Sequence, residues 1–286
     1  MLRGTCVVRR LIISSLLGTS MGTVADMKAM TEEEMGEVTG QGSMLGLDVN
    51  ETDQAAFTRF TIGSRSELQM NMEEIAIGEG GSGADIAADH FSLGHISRDS
   101  NEIVPFVGLD PFLELAEDNG NVVGFRMGFT EAKGSLSGDF ESLTGNVGIE
   151  LEDSEGNVED GQLLQADGTA DNQRATHFGL EGADTDCAGQ VNCAPLSAIQ
   201  TLDVGERDSE GNADFTNDFF ISFQDQDQVQ ELEWQSPGSE SGTVSTDSGV
   251  FINIPTAMRL EMQSLGNETV VPRVRTEFID RGQGLF

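Results

Sequence analysis

Side-chain oxygens recur at alternate positions in two acidic turns that share the pentapeptide DSEGN. A hard cation such as calcium is held by about six to eight oxygen ligands, which carboxylates and side-chain amides can supply. The pattern therefore predicts a calcium-binding or calcium-stabilised extracellular module as one possible function. The candidate ligands are Asp153, Glu155, Asn157 and Glu159 in the first turn, and Asp208, Glu210, Asn212 and Asp214 in the second.

Both turns also fit a simpler interpretation as solvated acidic turns. An EF-hand loop needs Gly at its sixth position and Glu at its twelfth. Those positions hold Val158 and Leu164 in the first turn, and Ala213 and Phe219 in the second. Because Gly, Asn, Asp and Ser are also ordinary turn residues, the sequence leaves both interpretations open.

Two cysteines lie close together in the segment DTDCAGQVNCAP, where Gly, Asn and Pro indicate a loop. Two thiols without a nearby histidine make a poor zinc site. We therefore predict one local disulfide between Cys187 and Cys193, as expected of a chain that reaches an oxidising compartment. The third cysteine, Cys6, lies in the N-terminal segment described below.

The residue types that most often carry out catalysis are few and poorly placed. The histidines are His90, His95 and His177, and the first two are five residues apart, a spacing that serves neither one helix face nor one strand face. The glycine run 78–83 matches G-x-G-x-x-G, but no helix of useful length follows it. We predict no catalytic residue, no organic cofactor and no enzymatic activity; a secreted polysaccharide hydrolase with a shallow acidic cleft is the enzymatic alternative.

The charge balance restricts the kinds of partner that the chain can bind. It has 50 acidic and 15 basic residues, a formal net charge of −35. Such a field repels phosphate backbones and anionic headgroups, so nucleic acid and membrane surfaces are poor partners. We expect other envelope or surface proteins, or further copies of the chain, as partners; high acidity also keeps a surface hydrated in salty water.

Residues 1–25 have the features of a secretory signal peptide. They contain three arginines and no acidic residue, followed by an apolar run at 11–24 and small residues up to Ala25. The run is short and rich in Ser, Thr and Gly, so it spans a bilayer badly. We expect cleavage after Ala25, with no transmembrane span in the mature chain.

Residues 26–42 predict a short helix that belongs to the mature protein. Thr31 can act as N-cap with Glu34 three residues later, and Met30 and Met35 occupy the positions of a hydrophobic staple. A helix of about two turns is marginal in water. We therefore expect it to dock on a partner surface.

From residue 43 to 286 the dominant apolar period is two, which predicts half-buried strands. Asn119-Gly120 between two apolar runs predicts a hairpin, while the best short helical candidate is 84–90. The domain should be mainly β and elongated, either a solenoid-like stack or a β-sandwich, and the acidic region 152–193 is a candidate loop that would divide it. The alternating residues are Leu68, Met70 and Met72; Val123, Phe125, Met127 and Phe129; Phe219, Ile221 and Phe223; and Val250, Ile252 and Ile254.

The segment MKAMTEEEMGEVTGQGSM resembles the start of uncharacterised exported proteins of Gram-negative bacteria, some of which are described as pilus-system or surface proteins. Their mature chains begin with an L-x-D-x-E-L-S-x-V-x-G-Q segment. The matching positions are Met30, Glu34, Met35, Val38, Gly40 and Gln41. The stretch 110–147 also resembles the central part of such proteins. The resemblance implies a secreted or surface role and supplies no catalytic residue.

Together these features predict an exported protein of a Gram-negative bacterium, secreted or held at the cell surface, either associated with the outer membrane or periplasmic. We expect a structural or adhesive role, for which a pilus-like appendage is one candidate setting, and no chemical reaction.

Overall fold

The computed structural model describes residues 45–78, 83–180, 187, 192–225, 231–239 and 242–277. The predicted signal peptide and the predicted helix at 26–42 lie outside the described residues. Within these ranges the chain is mainly β, as predicted, and its helical elements are two 3₁₀ turns, Leu196–Ala198 and Met262–Gly266. No helix in the described part has the length and apolarity that crossing a membrane would require.

The described strands are numbered in chain order. The first eleven are β1 Leu45–Glu51, β2 Ala56–Ile62, β3 Arg65–Leu68, β4 Met70–Asn71, β5 Glu74–Ile77, β6 Ile86–Leu93, β7 His95–Ile96, β8 Ile103–Val104, β9 Phe106–Asp118, β10 Asn121–Leu143 and β11 Gly145–Glu152. The others are β12 Val158–Asp160, β13 Gln162–Leu164, β14 His177–Gly179, β15 Cys193–Pro195, β16 Thr201–Val204, β17 Glu206–Arg207, β18 Ala213–Asp214, β19 Phe220–Gln224, β20 Glu231–Gln235, β21 Thr243–Asp247 and β22 Gly249–Glu261.

Two sheets share the long strands β10 and β22. The first sheet has the order β1-β2-β9-β10-β19-β22-β11-β12, and the second has the order β5-β6-β10-β16-β22. Strands that bend from one sheet into the other form the corners of packed sheets. Gly134 lies where β10 changes sheets; its φ is +145°, and a Cβ there would lie 2.8 Å from the Cα of Phe106.

The strand pairing agrees with packed sheets better than with a stack of parallel rungs. Every ladder between described strands is antiparallel except β11–β22. The predicted hairpin is present as β9 and β10, and Asn119 and Gly120 both have positive φ angles, as the tight turn requires. The helical candidate at 84–90 is wrong, because most of it lies in β6, which pairs with β5 and β10.

The acidic region 152–193 contains ordered strands in addition to turns. It includes β12, β13 and β14, and β13 and β14 pair with each other. Leu163 and Phe178 from these strands are buried in the main core, beside Ile149 and Leu196. This region is therefore packed onto the sheets where it is described.

A second, smaller core lies under the β20–β21 hairpin. It contains Phe57, Ala116, Val123, Leu232 and Trp234. The rings of Phe57 and Trp234 meet edge to face with centroids 5.2 Å apart. The hairpin thus covers one face of the first sheet.

A buried ion cluster joins this hairpin to the sheet. Arg126 is fully buried, and its Nε donates to Glu114 Oε2 at 2.6 Å. Arg59 Nη2 lies 3.3 Å from the same oxygen and donates to the carbonyl oxygen of Gln235 at 2.6 Å. Arg126 Nη2 donates to that carbonyl as well. The Glu114 carboxylate and the Gln235 carbonyl therefore each contact both guanidinium groups.

Three aromatic rings surround the Arg126 guanidinium. Its Cζ lies 5.3 Å from the centroid of Phe112, 4.8 Å from that of Phe220 and 5.1 Å from that of Trp234. Cation–π attraction strengthens when the cation is desolvated. Burial nevertheless lowers the pKa of Arg126 to about 10, an effect that the Glu114 charge opposes.

Replacing Glu114 by Gln is expected to lower the free energy of unfolding by about 3 kcal/mol or more, because two buried guanidinium groups lose their counter-charge. Glu117→Gln, at an exposed position of the same strand, is the control and should change stability by less than about 0.5 kcal/mol. Urea unfolding measures both. Equal stabilities of the two variants would contradict the role of the cluster.

Candidate functional site

The two DSEGN turns fold in the same way. Asp153 Oδ1 accepts the backbone N–H groups of Glu155 at 2.8 Å and Asn157 at 2.9 Å. Asp208 Oδ1 accepts those of Glu210 and Asn212, both at 2.8 Å. Each turn joins two antiparallel strands, β11 to β12 and β17 to β18.

In both turns the asparagine amide faces the aspartate with its N–H donor. Asn157 Nδ2 donates to Asp153 Oδ2 at 2.7 Å, and Asn212 Nδ2 donates to Asp208 Oδ2 at 3.4 Å. The bond from Asn157 lowers the pKa of Asp153, and the backbone bond from Asn212 lowers the pKa of Asp208. A bound cation would need the oxygens of these groups to converge instead.

The other predicted calcium ligands lie outside these hydrogen-bonded pairs. Glu159 lies in β12 and Asp214 in β18, while Glu155 and Glu210 are exposed. Among the described residues, no group of three or more His, Cys, Asp or Glu side chains is placed to hold a metal ion. Calcium binding remains a prediction that the local geometry does not favour.

The predicted disulfide is present. Cys187 and Cys193 are bonded, their Cα atoms are 5.6 Å apart, and both side chains are buried against Leu164. Cys193 begins β15, which pairs with β14. The bond therefore attaches the end of the acidic region to a strand of the core.

The histidines do not form a common site, but one lies near a serine and an aspartate. His95 Nδ1 is 2.8 Å from Ser135 Oγ, and Ser135 pairs across the ladder with Asp203. Burial raises the pKa of Asp203, and the His95 charge lowers it. Ser135 is only 4 % exposed, so its hydroxyl is closed to a substrate. His177 lies elsewhere, with Nδ1 2.8 Å from Thr176 Oγ1.

A polar groove crosses the parallel pair β11–β22. One part has a cavity volume of about 660 Å³, and an adjoining part has about 480 Å³. Asn146, Asn172 and Asn253 line both parts. Asn146 Nδ2 donates to Asn253 Oδ1 at 3.2 Å, and Asn253 Nδ2 donates to the carbonyl of Asp218 at 2.7 Å. Asn146 and Asn253 are thus held by each other and by the backbone that leads into β19.

At the groove the carboxylate of Asp247 lies within the electrostatic influence of two others, Glu231 and Asp171. Burial raises the pKa of Asp247, and the charges of Glu231 and Asp171 raise it further, while a hydrogen bond with Asn172 lowers it. Glu231 and Asp247 are direct cross-strand partners in the β20–β21 hairpin. None of the described side chains that line the two parts is basic or aromatic. Among the described residues, this groove is a concave surface lined by several carboxylates, which is the kind of surface that an acidic polysaccharide cleft would need.

A large patch of exposed apolar side chains lies on one face of the first sheet. Seven large apolar side chains on four neighbouring strands of the first sheet are between 39 % and 71 % exposed. We call them the open apolar face. They are Leu45, Leu47 and Val49 of β1, Phe60 and Ile62 of β2, Leu113 of β9 and Met127 of β10.

Cross-strand register places these side chains on the same side of the sheet. Leu47 lies opposite Phe60, Phe60 opposite Leu113, and Leu113 opposite Met127. Leu45 lies opposite Ile62 in the same ladder as Leu47. Because directly opposite residues point to one face, the seven form a continuous surface.

Sequence reasoning found part of this surface. Met127 was in a run whose alternation predicts a strand, but alternation does not say which face of the strand a partner covers. The segment LGLDVNE of β1 shows the same alternation and could have been found by it. The polar groove has no local signal, because its residues come from distant parts of the chain.

Comparison of the chain with protein-family models, with curated proteins and with solved structures gives no match. The resemblance of residues 27–44 and 110–147 to exported surface proteins stays a prediction.

Replacing Asn157 by Ala is expected to raise the pKa of Asp153 toward its ordinary value, because the largest stabilisation of the carboxylate is the Asn157 side-chain bond. Asp208 should keep its lowered pKa and serves as the internal control. Carboxyl-carbon NMR titration measures both groups. An unchanged titration of Asp153 would contradict the turn geometry.

Calcium is expected to leave the melting temperature unchanged, because Asp153 and Asp208 already accept N–H donors from their own turns. Thermal melts of the full chain in chelator and in millimolar calcium measure this. A rise of several degrees with calcium, lost in Asp153→Asn, would instead establish the calcium module, since a ligand of the folded state stabilises it by mass action.

Proposed function

We propose that the protein is an exported, non-enzymatic structural or adhesive component of a Gram-negative cell surface, and that the open apolar face is its contact surface. Its partners are other envelope or surface proteins, or further copies of itself. Calcium binding and polysaccharide hydrolysis are the alternatives that the sequence offers. The polar groove, with its carboxylates, is the observation that supports polysaccharide hydrolysis.

The size of the open apolar face carries this proposal. Seven large side chains that are each about half exposed leave roughly 600 Å² of apolar surface in water. The largest apolar patch of a typical soluble monomer is about 300–600 Å² and is often functional. In a chain with net charge −35, a neutral patch of this size is best explained as a surface that a partner covers.

The charges of the same strands support a contact role for this face. Arg59, Glu114 and Arg126 point to the opposite side, where the β20–β21 hairpin covers them. The open face therefore carries no charge at its central positions. An uncharged face favours contact with apolar protein surfaces. It offers no charged group that could bind an ionic substrate.

The test uses the full chain expressed in a Gram-negative host, followed by intact-mass analysis and protease shaving of whole cells. We expect a mature chain that starts at Asp26 and is digested from outside. Leu47→Asn should reduce the cell-retained fraction several-fold, because it places a polar group in the contact. Ile103→Asn, at an exposed aliphatic residue of β8, is the matched control and should leave retention unchanged.

Two results would contradict the proposal. One is an uncleaved chain that stays in the cytoplasm. The other is equal retention of Leu47→Asn and Ile103→Asn.

A further inference from the structure

The open apolar face is the uncovered end of a row that begins in the main core. Met127 lies opposite Ile221 of β19, and Ile221 lies opposite Ile252 of β22. Ile252 is 8 % exposed and belongs to the main core, whereas Leu47 at the other end of the row is 60 % exposed. The same sheet face thus changes from core to open surface across six strands.

We propose that the open apolar face packs against the same face of a second copy of this chain. The inference rests on the proposed function, because it names the partner of that contact surface. A partner of this face must itself present an apolar, uncharged surface. The chain itself supplies such a surface.

Area favours this occupant. Each copy would bury roughly 600 Å², so a symmetric pair would bury roughly 1,200 Å² in total. Stable protein interfaces bury about 1,200–2,000 Å². A symmetric contact between two such faces therefore reaches the lower end of this range, which fits a dimer in equilibrium with its monomer.

The arrangement of side chains suits a two-fold contact. Leu47 and Val49 lie at one end of the face, and Leu113 and Met127 lie at the other. A two-fold axis near Phe60 would place one end of each copy over the other end of its partner, as an isologous interface requires. Sheets that stack face to face lie about 10 Å apart, the distance at which such side chains interdigitate.

The salt dependence of binding distinguishes a second copy of the chain from a basic partner. Two copies of net charge −35 repel each other outside the contact. Salt screens that repulsion, so self-association should tighten as the ionic strength rises. A basic partner attracted by the acidic surface would show the opposite dependence.

Sedimentation equilibrium of the full chain, at low and high sodium chloride, tests the inference. We expect a monomer–dimer equilibrium that tightens with salt. Leu47→Asn should weaken dimerisation by about tenfold or more, because a buried leucine is lost from each copy. Ile103→Asn should leave it unchanged. Circular dichroism and thermal melts of both variants establish that they are folded.

A chain that stays monomeric at roughly 100 μM, or a dimer that Leu47→Asn does not weaken, would overturn the inference. Its failure is distinguishable from failure of the proposed function. If the chain is a monomer but its retention on cells still depends on Leu47, the face contacts a different partner and only the dimer is refuted. If the chain forms a Leu47-dependent dimer but remains in the cytoplasm, the dimer is supported and the surface role is refuted.

Discussion

The buried pair of Arg126 and Glu114 determines which side of the first sheet is closed. Side chains alternate along a strand, so placing Glu114 under the β20–β21 hairpin directs Leu113 to the opposite side. The same holds for Arg126 and Met127. A register slip by one residue would put a carboxylate on the open face and a leucine against two guanidinium groups. The ion cluster therefore specifies the register from which the open apolar face follows.

Much of the fold class was readable from the sequence, because it depends on local rules. The alternation in 122–132 and the Asn119-Gly120 turn predicted the β9–β10 hairpin correctly. The disulfide followed from the proximity of two cysteines in a loop. The candidate helix at 84–90 failed because seven residues of weak helical periodicity cannot outweigh pairing with two strands.

Features that depend on distant residues could not be predicted in this way. The cluster joins Arg59, Glu114, Arg126 and Gln235, which only the fold brings together. The groove likewise combines Asn146, Asn172 and Asn253 from separate strands and loops. The DSEGN turns were visible in the sequence, but whether their oxygens face a cation or their own N–H groups depends on the turn geometry.

The central claim is that the open apolar face is covered by protein in the functional state. Hydroxyl-radical footprinting measures this directly at Leu47, Phe60 and Met127, by comparing the chain on intact cells with the purified chain at high dilution. The account predicts strong protection of these three side chains on cells, with Ile103 labelled equally in both states. Equal labelling of all four residues in both states would contradict it.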